Sequence, residues 1–207
     1  MCKLFHSLAA VVAIGIVVVS SAVHAQEYPS RTVRIVVPQP PGGGTDTIAR
    51  LIADRLSKQL GQAFIVENRP GAGTLVGTEV VARAAPDGYT LLVGLNGNMA
   101  VNPSLYKNLS YDPIRDFTPV AMLANYPFLL VVNKDLPAKS VKDLIAMAKA
   151  KPGTINYASA GNGTGQHLAM ELFKMLTGAN FTHVPYRGAQ AAYIDVFSGQ
   201  VPIFFDN

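Results

Sequence analysis

Val33-Arg34-Ile35-Val36-Val37, then Pro38-Gln39-Pro40-Pro41-Gly42-Gly43-Gly44-Thr45, then Asp46-Thr47-Ile48-Ala49-Arg50, is the stretch whose reading decides the fold. Four of the first five residues are β-branched and apolar, which suits a buried strand. The prolines and glycines that follow break it. Over residues 46–60, Ile48, Leu51, Ile52, Leu56 and Leu60 recur at helical spacing, and Gly61 provides the stop. A strand that feeds a helix through a short loop is the opening of a βαβ unit.

The chain continues in that style. Residues 64–67 read as a short strand, 70–73 as a turn and 75–84 as a second helix. Pro86-Asp87-Gly88 is a turn and 89–93 the next strand. This βαβαβ order predicts a parallel sheet with helices on its faces. Two apolar runs follow, 120–124 and 128–132, separated by Asn125-Tyr126-Pro127. Both are expected to be strands that carry the chain from one lobe to another, which places a first lobe at 26–124 and a second at 125–207. In the second part Ser140 caps a helix over 141–150, with Asp143 completing a capping-box-like pair. Strands at 155–158, 181–184 and 201–205 alternate with helices at 164–176 and 189–197, which stop at Gly178 and Gly199. The chain ends two residues after Ile203-Phe204-Phe205, an abrupt finish that suggests a shortened reading frame.

Composition narrows the classes. The 207 residues are 14% charged, below the roughly 25% of soluble domains. Gly and Pro are scattered, which excludes a disordered chain, a collagen-like repeat and a coiled coil. One Cys and no CxxC exclude a disulfide scaffold and a thiolate zinc site. The net charge of +4 raises the question of nucleic acid. Its densest basic group, Lys134, Lys139, Lys142, Lys149 and Lys151, surrounds one predicted helix without interleaved aromatics. That pattern reads as a solvated helix face, or more sharply as a docking surface, and no nucleic-acid partner is expected. At the start, Lys3 precedes an apolar run at 8–19 and the small residues before Ala25. This is the layout of a signal peptide over 1–25, cleaved after Ala25, and it implies a periplasmic protein. The run is too short for a spanning helix.

Two glycine-rich strand-to-helix junctions carry the chemistry. At the first, the amides of Gly42, Gly43 and Gly44 and the helix start form an anion site without Lys or Arg. Thr45 or Asp46 is the expected cap, and the plainer alternative is a tight turn with an N-cap. The second is Ala158-Ser159-Ala160-Gly161-Asn162-Gly163-Thr164-Gly165-Gln166-His167. Ser159 and Thr164 add hydroxyls. His167 falls in the helix's first turn, where the dipole favours a neutral imidazole. Two such mouths could clamp a carboxylate or dicarboxylate.

Other readings of these residues are poorer. Gly161, Gly163 and Gly165 do not have dinucleotide-fingerprint spacing, and no P-loop is present. Ser159, His167 and Asp206 are hydrolase residue types, but Ser159 is not in a G-x-S-x-G elbow. His183 reads as a structural strand residue. No metal site assembles and no cofactor is implied.

The residues Tyr28-Pro-Ser-Arg-Thr-Val-Arg-Ile-Val-Val37 and Pro41-Gly-Gly-Gly-Thr-Asp-Thr-Ile-Ala-Arg50 resemble the Bug receptors. These are the substrate-binding proteins of tripartite tricarboxylate transporters. Val66-Glu-Asn-Arg-Pro-Gly-Ala-Gly73, Ala84-Ala-Pro-Asp-Gly-Tyr-Thr-Leu-Leu92, Tyr157-Ala-Ser-Ala-Gly-Asn-Gly-Thr164 and His183-Val-Pro-Tyr-Arg-Gly188 extend the resemblance over 26–207. The resemblance implies an α/β, two-lobed periplasmic-binding-protein-like (type II) fold with mostly parallel sheets, its C-terminal part missing. It implies a cleft in which Gly42, Gly43, Gly44, Thr45 and Asp46 meet Ser159, Gly163, Thr164 and His167. Asp206, and further Asn96 and Asn98, also fall at cleft positions. Gln39 stands where the family often has an aromatic, which bears on ligand choice. Relatives continue beyond Asn207 to complete both lobes, so the first sheet is expected to be left partly uncovered and the chain to be only marginally stable.

The function expected is therefore an extracytoplasmic receptor, a monomer without a catalytic step. It binds a small carboxylate and delivers it to membrane transporter subunits. A serine-type hydrolase using Ser159 and His167, or a shortened product without stable function, are the alternatives.

Overall fold

A computed structural model describes residues 27–207, and the predicted signal peptide lies outside the described residues. Arg31–Asn207 form one compact unit. No helix among the described residues is long and apolar enough to cross a membrane.

The chain is built around two sheets. In the first, β1 (Val33–Val37) lies between β2 (Phe64–Asn68) and β3 (Thr90–Leu92), all parallel, with Ile35 opposite Val66 on one side and Leu91 on the other. The central strand carries the apolar residues, and Val33, Val36 and Val37 are fully buried. Helix α1 (Gly44–Leu60) packs on the face that presents Val33, Ile35 and Val37. The buried side of α1 is Thr45, Asp46, Ala49 and Ala53, with Leu56 partly covered. Of the larger apolar residues expected on this face, Ile48, Ile52 and Leu56 are half-buried, while Leu51 and Leu60 are exposed. The alanines explain the difference: small side chains let the helix axis approach the sheet, and the bulky ones are left to the flank.

Helix α2 (Leu75–Ala82) crosses from β2 to β3 against β1. Right-handed crossovers in opposite directions put α1 and α2 on opposite faces. At Gly77 a Cβ would stand 2.7 Å from the Arg69 carbonyl oxygen and 2.8 Å from Pro38 Cα, so only glycine permits this approach. After β3, a π-helical turn, Gly97–Val101, runs into the short α3 (Asn102–Leu105).

Only one of the two expected crossing strands forms. Residues 120–124 are irregular, with Val120 and Met122 more than four-fifths exposed, because no strand among the described residues lies beside them to complete a ladder. The second run supplies β4 (Leu129–Val132).

The second sheet has the order β4-β7-β5-β6, with β5 (Asn156–Ser159), β6 (Thr182–Pro185) and β7 (Ile203–Asp206). β5 pairs in parallel with both neighbours, and β4 runs antiparallel to β7. Strand alternation divides its core. Tyr157 and Ile203 pack with Leu144 of α4 (Val141–Ala150) and Met170 of α5 (Gly165–Thr177). Ala158 and Phe204 pack with Ala192 and Val196 of α6 (Ala189–Ser198). The cap of α4 forms as expected: the Asp143 amide donates to Ser140 Oγ at 3.1 Å, and Asp143 accepts from the Lys139 amide at 3.1 Å. The result is an α/β, two-lobed fold with mostly parallel sheets.

Candidate functional site

Two adjoining clefts open where loops of the first sheet face loops of the second. The larger, about 150 Å³, is lined by Thr74, Asn96, Tyr126, Phe128, Thr164 and Gly165, among others. The smaller, about 30 Å³, is lined by Gly43, Gly44, Thr45, Gly188, Gln190 and Tyr193, among others. Gln39 and Gln166 border both. Among the described residues, no lining side chain carries a charge.

The first mouth is the start of α1. Gly43 is its N-cap, with extended backbone (φ −83°, ψ 170°) and no side chain to cap with. The first ladder bond is Thr47 N–H to the Gly43 carbonyl, 3.0 Å, so the amides of Gly44, Thr45 and Asp46 lie outside the ladder. The expectation that Thr45 or Asp46 caps the helix is corrected, since the helix begins two residues earlier. Asp46, 4% exposed, instead reaches back as a brace. Its carboxylate accepts from the Gly42 amide at 2.9 Å, Arg50 Nε at 3.0 Å and Asn68 Nδ2 at 2.9 Å. Burial opposes its ionisation, but Arg50, the Gly42 amide and Asn68 together outweigh that and hold its pKa below the ordinary value.

The second mouth is the start of α5, with Thr164 as N-cap. Its hydroxyl donates to the Gly161 carbonyl at 2.7 Å and caps no helix amide. The Gly163 amide donates to His167 Nδ1 at 3.1 Å, which leaves the ring proton of the neutral imidazole on Nε2. His167 stacks on His183 with 4.1 Å between ring centroids, and His183 on Tyr157 with 4.8 Å. Burial pushes both imidazoles down, His183 to about 4, so both are neutral at pH 7. Below them Tyr157 and Lys174 donate to the Glu171 carboxylate at 2.5 and 2.7 Å.

Ser159 is fully buried, and its hydroxyl meets His183 Nε2 at 2.6 Å, not His167. The register of β5 against β6 decides this: Tyr157 and Ser159 share a face, and His183, opposite Tyr157, reaches along it. Ser159 also accepts from the Gly161 amide at 3.1 Å. The Ser159–His167 pair that a hydrolase needs does not form.

The residues singled out from sequence thus fall into two groups. Gly43, Gly44, Thr45 and Thr164 line the clefts. Gly42, Asp46, Ser159, Gly163 and His167 stand behind them as braces. Asp206 connects to the small cleft through Tyr193, whose hydroxyl donates to its carboxylate at 2.9 Å. Asn96 lines the large cleft. Asn98 is fully buried and turned inward, accepting from the Leu95 amide at 2.7 Å and donating to Thr78 Oγ1 at 2.8 Å.

Sequence reading missed a third mouth, the start of α6 at Gly188-Ala189-Gln190. A glycine between strand and helix was its signal. It also joins the two halves: Gln190 Nε2 donates to the Gly42 carbonyl at 2.7 Å, and a Cβ on Gly188 would meet Pro40 Cγ at 2.6 Å. The starts of α1, α5 and α6, none capped by a side chain, therefore border one cleft system. Their free amides and partial positive charge suit an anion that donates nothing and needs several N–H groups. Among the described residues no His, Cys, Asp and Glu cluster could hold a metal ion.

The chain is similar to known proteins. The family described as "Tripartite tricarboxylate transporter family receptor" matches residues 48–206. BugT of Bordetella pertussis is 40% identical over 190 residues, covering 91% of this chain and 58% of BugT. A second protein of the same organism, described as a UPF0065 protein, is 41% identical over 213 residues, covering 97% of this chain and 66% of that protein. The chain thus spans about three-fifths of the length of these relatives. Among solved structures, Rpa4515 of R. palustris with adipate is 43% identical with a TM-score of 0.85, over 87% of this chain and 60% of that one. MatC from Rhodopseudomonas palustris with bound malate is 39% identical with a TM-score of 0.80, over 86% of this chain and 61% of that one.

Proposed function

This chain belongs to the tripartite tricarboxylate transporter receptor family, and on that premise we propose that it is a solute receptor for a small carboxylate or dicarboxylate. The observation that carries the reading is the convergence of three uncapped helix starts on one cleft system without charged side chains. The amides of Gly43, Gly44 and Thr45 at the first mouth receive one carboxylate. Thr164 and the first amides of α5 close on it from the other lobe. Asp46, Ser159, Gly163 and His167 hold the two loops in shape, and Asp206 orients Tyr193. The lobes are 26–124 and 125–207, and ligand binding brings them together across the Gln190–Gly42 contact.

No catalytic step enters this reading. The protein is exported by the signal peptide at 1–25, acts in the periplasm as a monomer, and hands its ligand to membrane transporter subunits without a cofactor. Solved relatives with adipate and with malate support the ligand class.

Thermal unfolding of the purified chain with acetate, butyrate, succinate, malate and adipate tests the proposal. Ligand at 100 times its Kd stabilises by about 2.7 kcal/mol, a shift of several degrees for a domain of this size. A cooperative transition that moves with none of these carboxylates would overturn it.

A further inference from the structure

Residues 71–74 form an unusual stretch at the seam of the two lobes. Gly71, Ala72, Gly73 and Thr74 all have positive φ, at 140°, 45°, 61° and 80°. Among the described residues, Ala72 and Thr74 are the two non-glycine positions in this state. A β-branched residue is strained there, because its Cβ crowds the following carbonyl. The stretch faces the second mouth directly: a Cβ on Gly73 would stand 2.8 Å from the Asn162 carbonyl oxygen.

Thr74 is 5% exposed and lines the larger cleft. It occupies the N-cap position of α2, yet its hydroxyl caps no amide. Among the described residues, Thr74 Oγ1 has no hydrogen-bond partner. A buried hydroxyl without a partner is destabilising, and here it comes with backbone strain. Both penalties fall at the border of the proposed binding cleft, beside Asn96 and Gly97 and across from Thr164. Strained, unsatisfied residues persist where the surrounding structure uses them.

We infer that Thr74 is a specificity-determining residue of the carboxylate site, its hydroxyl donating to a second oxygen of the ligand. This rests on the receptor reading above. The carboxylate held by the helix starts is generic to all acids in the panel. Thr74 supplies the contact that only a ligand with a second oxygen function, a dicarboxylate or hydroxydicarboxylate, can satisfy. A ligand lacking that oxygen leaves the hydroxyl buried and unpaired, which is the kind of mismatch that gives strong discrimination.

The test is titration calorimetry with butyrate, succinate and malate on the full chain and on T74V, T74S and T74G. T74V keeps the side-chain shape and removes the hydroxyl. T74G removes the hydroxyl and relieves the strain, so a shared effect of the two variants on ligand preference is separable from their different effects on the backbone. The expected result is that both lower the preference for succinate or malate over butyrate at least tenfold, while T74S retains it. An unchanged preference in T74V and T74G, with the parent chain binding normally, would overturn the role of Thr74 and leave the receptor reading intact. A parent chain that binds none of the three acids would overturn the receptor reading and this inference with it.

Discussion

The starts of α1 and α4 differ in what fills them. At α4 the protein satisfies its own amide through Ser140 Oγ, and Asp143 reaches back to Lys139. At α1 the N-cap is Gly43, with no side chain to offer, and at α5 the Thr164 hydroxyl is spent on the Gly161 carbonyl. The capped start contributes no residue to the cleft lining, and the uncapped starts of α1 and α5 border it. A helix start left open on a cleft, while that of α4 is closed by its own serine, is where an external acceptor fits.

The most forceful way to break this contrast is to close α1 artificially. Gly43 has backbone angles any residue adopts, and nothing among the described residues lies within 4 Å of a Cβ placed there. Gly43→Asp should therefore fold, and gain a few tenths of a kcal/mol as a better cap. Its carboxylate would occupy the amides meant for the ligand. Affinity for whichever carboxylate the parent binds should fall about 100-fold, close to 2.7 kcal/mol. Retained affinity by calorimetry would show that the first mouth is not the anion site.

Removing the brace has the next largest effect. Asp46→Ala leaves the Gly42 amide without its acceptor and takes one of two acceptors from Asn68 Nδ2, which keeps the Gln39 carbonyl. It should destabilise the chain by about 2 kcal/mol in urea unfolding. Asp46→Asn keeps an acceptor for Gly42 and should lose less.

Acid separates the two mouths further. The first is braced by a carboxylate held below its ordinary pKa, the second by imidazoles that burial keeps neutral. For the histidines, the unfolded chain takes up protons near the ordinary value of 6.5 while the folded chain does not. Stability should therefore decline as pH falls from about 6.5 towards the His183 value of about 4. The Asp46 contribution is lost only below the ordinary carboxylate value of 3.8. Urea midpoints across this range, with imidazole resonances followed by NMR, should show the second mouth loosening first. A flat midpoint between about pH 6.5 and 4 would contradict the buried neutral stack.

The mildest expected change is at the capped start. Ser140→Ala should lower stability by about 1 kcal/mol and leave carboxylate affinity unchanged. A loss of affinity there would mean that the capped and uncapped starts are not functionally distinct.

Sequence alone determined the strand–glycine–helix junctions, the cap at Ser140, the stops at Gly61, Gly178 and Gly199, and the α/β order. Each depends on a few neighbouring residues, whose β-branching, periodicity or permitted φ acts locally. Tertiary structure decided the rest. It turned Leu51 and Leu60 of α1 outward because alanines allowed closer packing. It left 120–124 irregular for want of a neighbouring strand. It paired Ser159 with His183, 24 residues away, and Gln190 with Gly42, 148 residues away. Such pairings follow from strand register and from the approach of one lobe to the other, which no local propensity encodes.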